Sequence, residues 1–367
     1  MRVNGVVAAL VGVSRHLARA VPDNATQADP TLRLIKTSES DPGQWIAKDQ
    51  LFQLFTSKRI GFMDMTNLDQ DEDKNSTLVA RQGVSYPDRI LHEEEANTFF
   101  RHLENRQPRK WLRTLTNFHT RHFESPSGRE AADWLFDEAS FVASANPDIT
   151  VRRFEHEWDQ PSIIVQIPGR HQTLVILSAH FDSTAGAADL RSPGADDNGS
   201  GTVVVLETLH ILADMKFRPE NTVEFHFYAA EEEGLRGSMD IFRHYASQGK
   251  RVMAMLNQDM AGRSPSVRAS VVTDFVFPPL AEYMVVLASH YLGRPPTRTH
   301  CGYACSDHAS ALRYSFPAAL VIEDRVEMAS RERDTSDDTY DKVDWATIYR
   351  HTKLSIGFTV EASHLVD

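Results

Sequence analysis

From about residue 150 the chain alternates between runs with the two-residue period of strands and runs with the longer period of helices. Val151 to Glu157 and Ser162 to Ile167 read as strands with partial alternation. Leu174-Val175-Ile176-Leu177 is continuously apolar, as a strand buried on both faces requires. Thr222 to Ala229 alternates through Val223, Phe225 and Phe227, and Val252 to Leu256, Ser270 to Val272 and Ala318 to Ile322 are further strands. Asn198 to Met215 places Val203, Leu206, Leu209 and Leu212 on one side of a helix. Gly234 to Tyr245, Pro279 to Tyr291 and Trp345 to Ser363 complete the helical segments. This order predicts an α/β fold, a three-layer sandwich with a mixed, mainly parallel central sheet flanked by helices. Ligands of such sheets collect beyond the carboxyl ends of the strands.

The first part of the chain reads differently. Glu93 to Arg106, Arg109 to His122 and a segment capped by Ser127 and running to Ala143 are predicted helices. Residues 21–83 are rich in Asp, Ser, Asn and Gln; the acidic stretch Asp69 to Asn75 among them reads as solvated linker, and Gln44 to Phe55 as one short helix. Met1-Arg2, the mostly apolar Val3 to Val13 and the small-x-small Ala18-Arg19-Ala20 together read as a secretion signal over residues 1–20. That run falls short of the roughly 20 apolar residues that span a bilayer, and no later segment does better, so no membrane partner is expected.

Composition narrows the classes. With 41% apolar and 25% charged residues, the chain is neither wholly disordered, nor fibrous, nor a multi-span membrane protein. A net charge of −12 argues against nucleic acid as a partner, because phosphate binding rests on clustered Lys and Arg. Cys301 and Cys305 can form a disulfide, half a metal site or two free thiols. Asn24, Asn75 and Asn198 open glycosylation sequons, the third inside a motif where modification is not expected.

The chemistry lies where the strands end. The strand through Leu177 runs into Ser178-Ala179-His180-Phe181-Asp182, and Gly194-Ala195-Asp196-Asp197-Asn198-Gly199-Ser200-Gly201 opens the next helix. The strand ending at Ala229 runs into Ala230-Glu231-Glu232-Glu233-Gly234, and the one ending at Leu256 into Asn257-Gln258-Asp259-Met260. Taken singly, these are ordinary: Asp-Asp-Asn caps helices, and Glu-Glu-Glu-Gly is a solvated helix start. Taken together, they deliver His180, Asp197, Glu231, Glu232 and Asp259 to one sheet edge, where carboxylates raise one another's pKa unless a cation lies among them. Zinc accepts this donor set. The adjacent glutamates suggest divided labour, one binding metal and the other taking a proton from the attacking water and passing it to a leaving amine.

These motifs resemble the co-catalytic dizinc aminopeptidases, in particular the secreted leucyl aminopeptidases. The likeness is carried by Ser178 to Thr184, Pro193 to Gly201, Tyr228 to Ser238, Asp259-Met260 and Gly302 to Ser310, in the family's order and spacing, and it covers residues 90–365. Arg33-Leu34-Ile35-Lys36-Thr37-Ser38-Glu39 is similar to the family's propeptide. The resemblance implies His180 and Asp259 as terminal ligands of one zinc, Asp197 as the bridge, Glu232 on the second zinc and Glu231 as general base and acid. It further implies that Asp182 holds the ring of His180, that Tyr303 donates to the oxyanion, and that Cys301 and Cys305 pair. The implied protein is secreted and monomeric, with a signal over 1–20, a propeptide over 21–83 and a catalytic domain over 84–367. The implied substrates are peptides with a free N-terminus and a large apolar first residue.

One position departs from the family. Its fifth ligand is the His of a His-Thr-x-x-Asp-Thr motif, and here that segment reads Asp334-Thr335-Ser336-Asp337-Asp338-Thr339. The second metal then sees only oxygens, from Asp197, Glu232 and Asp334. This suggests a weak second site or one suited to harder ions such as Mn or Mg. It also opens the alternative of a weakened or inactive relative that acts as a peptide-binding protein.

Overall fold

The structure is a computed structural model that describes residues 31–38, 40–47, 50–51, 61–66 and 84–366. The segment read as a secretion signal, the acidic stretch and the sequons at Asn24 and Asn75 lie outside them. Strands β1 (Leu32–Lys36), β2 (Gln44–Ala47) and β3 (Met63–Asp64) pair antiparallel in the order β2-β1-β3. The described part of this stretch is therefore a small sheet, and Gln44 to Ala47 is a strand where a helix was expected. The reason is local. Asp41-Pro42-Gly43 makes a turn, with the Asp41 carboxylate accepting from the Thr37 and Gly43 N–H groups and Gly43 at φ 92°. The turn folds Trp45 and Ile46 back onto β1.

Helices α1 (Glu93–Phe100), α2 (Arg106–Asn117) and α3 (Pro126–Ala143) follow, the last capped by Ser125 rather than Ser127. The main sheet comprises β4 (Thr150–Phe154), β5 (Ser162–Ile167), β6 (His171–His180), β7 (Asn221–Tyr228), β8 (Val252–Gln258), β9 (Ser270–Val272), β10 (Thr297–Thr299) and β11 (Ala318–Ile322). Between these strands lie α4 (Gly201–Asp214), α5 (Arg236–Ser247), α6 (Pro278–Tyr291) and α7 (His308–Arg313), and α8 (Trp345–Ser363) closes the chain. The sequence pattern does not reveal β10 and α7, which are too short to show a period. The strand order is β10-β9-β11-β8-β6-β7-β5-β4, with the central run β11-β8-β6-β7 parallel. Among the described residues, no helix is long and apolar enough to cross a membrane.

Strand β6 explains the layering. Val175, Leu177 and Ala179 join the core beneath α4 and α8, while Leu174 and Ile176 join the opposite core with Ile241, Phe242 and Tyr245 of α5. A strand covered by helices on both faces has no polar face to show. Strand β7 alternates, yet it too is buried throughout. Its polar face carries Glu224 and His226, hydrogen bonded to each other at 2.9 Å, with Tyr245 donating to Glu224 at 2.7 Å. The chain passes from β6 to β7 on one side and then to β8 on the other, so the crevice of this sheet opens at the carboxyl end of β6.

Arg121 ties the loops of that crevice together. The side chain is fully buried, and its guanidinium donates to the carbonyls of Leu115, Phe181, Pro193 and Gly194. Gly194, at φ 51°, must be glycine, since a Cβ there would meet Ser183 and Asp197 at 2.5 Å. Replacing Arg121 by Met strands these carbonyls in the interior. We expect Arg121→Met to lower the unfolding free energy by at least about 3 kcal/mol in urea titration, against under about 1 kcal/mol for the exposed Arg129→Met. Equal midpoints for the two variants would refute this role.

Candidate active site

Each site residue follows an element that fixes it. His180 is the last residue of β6, and Asp182 lies two residues on. Glu231 and Glu232 follow β7 after Ala230, which turns the chain at φ 54°. Asp259 follows β8 and precedes Met260 at φ 51°. Asp197 sits in the turn Ala195–Ser200 that opens α4, with non-helical φ −106° and ψ 101°, and the peptide joining it to Asn198 is cis. Asp334 comes from the long connection between β11 and α8, at φ 58°.

These segments meet around one imidazole. His180 Nε2 lies 3.3 Å from Asp197, 3.5 Å from Asp259 and 3.9 Å from Glu231. On the other side of the ring, Nδ1 is 3.4 Å from Asp182. The Asp182 carboxylate also accepts from the backbone N–H of Glu231 at 3.1 Å and of Glu232 at 3.2 Å, so one acid positions the His and both glutamates. Two groups have ligand atoms within 4.8 Å of one another: His180, Asp197 and Asp259, and Asp197, Glu232 and Asp334. They share Asp197, as a pair of bridged ions requires, and Asp334 is within reach of the second.

Several observations fit divalent ions here. Asp259 Oδ1, Glu232 Oε1 and His180 Nε2 are buried and make no well-aligned hydrogen bond. Burial raises Glu232 well above the ordinary carboxylate range, and Asp197, Asp334 and Glu231 push the same way. Asp334 is pushed up to about 7 by burial and then by Asp197. Glu231 is likewise raised by burial, against the pull of His180. Acids packed this tightly call for a cation. A separate group, His92, Glu95 and His364, is different. Its imidazoles stack 3.8 Å apart within 10° of parallel, which aims their nitrogens side by side and not at a shared ion.

Cys301 and Cys305 form a disulfide that carries Tyr303 at the crown of its loop. The Tyr303 hydroxyl is pushed up to about 12, chiefly by burial, so it stays protonated as a donor. It lines a cavity with Asp197, Glu231, Met260, Leu320 and Ile322. The Asn198 amide is buried and donates to the Gln258 carbonyl, which leaves that sequon no room for a glycan.

The sequence reading missed the supports of Asp197. Asp338 serves there only as a register mark, yet its carboxylate accepts from the Asp196 N–H at 3.0 Å and the Asp197 N–H at 2.9 Å. The Asp-Thr pair of the motif was the available signal. Arg121 gave none, because all of its acceptors are backbone carbonyls.

The sequence profile of Peptidase family M28 matches residues 162–359. The chain is similar to leucine aminopeptidase 1 of Trichoderma harzianum, 35% identical over 97% of this chain and 93% of the relative. Leucine aminopeptidase 1 of Fusarium vanettenii is 36% identical over 95% and 92%. Among solved structures, the LapA aminopeptidase of Legionella pneumophila shares the fold, with a TM-score of 0.82 over 92% of this chain and all (100%) of that chain, at 24% identity. The chain belongs to Peptidase family M28, the co-catalytic zinc aminopeptidases, and within it to the leucine aminopeptidase type.

Proposed function

We propose that the protein is a secreted metallo-aminopeptidase that removes large apolar N-terminal residues from peptides. The observation that carries this reading is the pair of ligand groups sharing Asp197, with Glu231 beside both and a member of neither. Divalent ions in these groups would supply Lewis acidity, lowering the pKa of water and polarising the scissile carbonyl. The chain's own residues do the rest. Glu231, held through its N–H by Asp182, takes a proton from the attacking water and passes it to the leaving amine. Tyr303 donates to the oxygen that becomes negative. Asp182 fixes the ring of His180, which sharpens its donor nitrogen. The walls of Met260, Leu320 and Ile322 suit an apolar side chain. The disulfide supports an oxidising compartment.

We read residues 21–83 as a propeptide, of which the described segment 61–66 lies against this site. Gly61 and Phe62 line the cavity, and Gly61 lies so close to Tyr303 that a Cβ would stand 2.1 Å from the ring. Met63 and Met65 pack with Leu235 and Met239, and the Asp64 N–H donates to the Gly234 carbonyl at 3.0 Å.

Asp334 reaches the second group, so the alternative of an inactive peptide-binding protein gains nothing from its shorter side chain. What Asp334 changes is hardness. A set of oxygens alone suits harder ions such as Mn or Mg better than a set with an imidazole does.

Three outcomes test this reading. Glu231→Gln should cut turnover of a leucine amide by about 10²–10⁴-fold with metal content unchanged, and full activity in the variant would exclude Glu231 as the base. Metal counting after dialysis should find the second ion loosely held in the native chain and retained as zinc in Asp334→His. Two tightly held zincs in the native chain, with no gain in the variant, would contradict it. Cutting the chain between residues 66 and 84 should raise the hydrolysis rate, and an uncut chain that is equally fast would refute the covering role.

A further inference from the structure

The cavity beside the ligand groups contains a charge that the proposed mechanism leaves unused. One part of its wall is apolar, formed by Met260, Leu320, Ile322, Val326 and the disulfide, and the rest is formed by the ligand carboxylates, Glu231, Tyr303 and Arg333. Among the described residues that line it, Arg333 is the one cation. Its guanidinium is not consumed by its neighbours. Nε lies 3.8 Å from the Asp334 carboxylate, and Nη1 donates to the Met260 sulfur at 3.9 Å. The first exceeds the roughly 2.7–3.2 Å of a good N–H···O hydrogen bond, and a thioether sulfur is a weak acceptor. The side chain is only 24% exposed, so water does not fully replace the missing partners. A guanidinium with unspent donors on an apolar cavity wall is built to receive a planar anion, which it grips through two parallel hydrogen bonds.

We propose that Arg333 is a specificity-determining residue that extends the substrate range to N-terminal glutamate. This rests on the aminopeptidase reading of the same site. The two methylenes of glutamate lie against the walls that would accept leucine, and the carboxylate reaches the guanidinium. Aspartate, one methylene shorter, is the poorer fit. The groups facing Arg333 are Tyr303 and the ligand carboxylates Asp334, Asp197 and Asp259, whose charge divalent ions in the ligand groups would offset. The guanidinium would then stand as the positive group beside the apolar wall.

The test compares kcat/KM for glutamate, glutamine and leucine amides on the processed, metal-loaded chain, native and with Arg333→Met or Arg333→Lys. The native chain should cleave the glutamate amide. Arg333→Met should lower the glutamate-to-leucine ratio by about 10–100-fold, mainly through KM, and Arg333→Lys should restore part of it. A ratio unmoved by Arg333→Met, or an equal loss on all three amides, would overturn the assignment and leave Arg333 as a charge partner of Asp334. Binding separates this from the underlying reading. In Glu231→Gln, Glu-Ala-Ala should bind more tightly than in the Glu231→Gln/Arg333→Met double variant, with Leu-Ala-Ala unchanged. A native chain that cleaves no amide but shows this binding difference would retire the aminopeptidase reading and keep the pocket assignment. Cleavage of the leucine amide without the binding difference would do the reverse.

Discussion

The structure turns on one electrostatic constraint: acids from separate segments are held within about 4 Å of a single imidazole, in an interior that cannot solvate them. The fold bears this because the acids are fixed by backbone and not by their own preferences. In the parallel ladder, Ser178 of β6 stands opposite both His226 of β7 and Asn257 of β8, so the ends of the three strands are level. A slip of one residue in either pairing would turn the strand's side chains to the other face and move its acids off the rim. The apolar runs of β6 and β8, covered by helices on both faces, make such a slip costly. Core packing is thus what keeps mutually repelling groups together until positive charge joins them.

Three buried side chains extend that control beyond the strands. Asp182 couples His180 to the backbone of Glu231 and Glu232, so the imidazole and both glutamates are held from one side chain. Asp338 and Arg121 do the same for the turn at Asp197. One accepts from its N–H groups, and the other draws the carbonyls of Pro193 and Gly194 toward that of Phe181. None of the three lies in either ligand group, yet each sets where a ligand can be.

What the sequence revealed and what it hid follow from the same physics. The central strands were legible because burial on both faces leaves an unbroken apolar signature. Glu231, Glu232 and Asp259 were legible because they follow predicted strands, and Asp197 because it opens the next helix. The short sheet of β1 to β3 was not, because its polar composition hides strands that pair locally and present only a few apolar side chains, such as Ile35 and Met63, for burial. Strand β7 misleads in another way. Its alternation suggests one wet face, but that face is dry and its polar groups satisfy each other through Glu224, His226 and Tyr245. Arg121 was illegible in principle, since carbonyl acceptors carry no side-chain identity.

Asp334 and Arg333 are best understood together. The first turns the chain at φ 58°, a left-handed conformation that Asp adopts more readily than most residues, and this turn brings its carboxylate to the second ligand group. The second, one residue earlier, faces the cavity instead. An imidazole at position 334 would bring a neutral nitrogen donor and no added charge. The pair seen here brings an acid to the ligand group and a cation to the pocket wall, leaving local charge balanced while changing both the hardness of the donors and the polarity of the substrate side. On the proposed reading, a single backbone turn would thus connect the choice of ion to the choice of substrate.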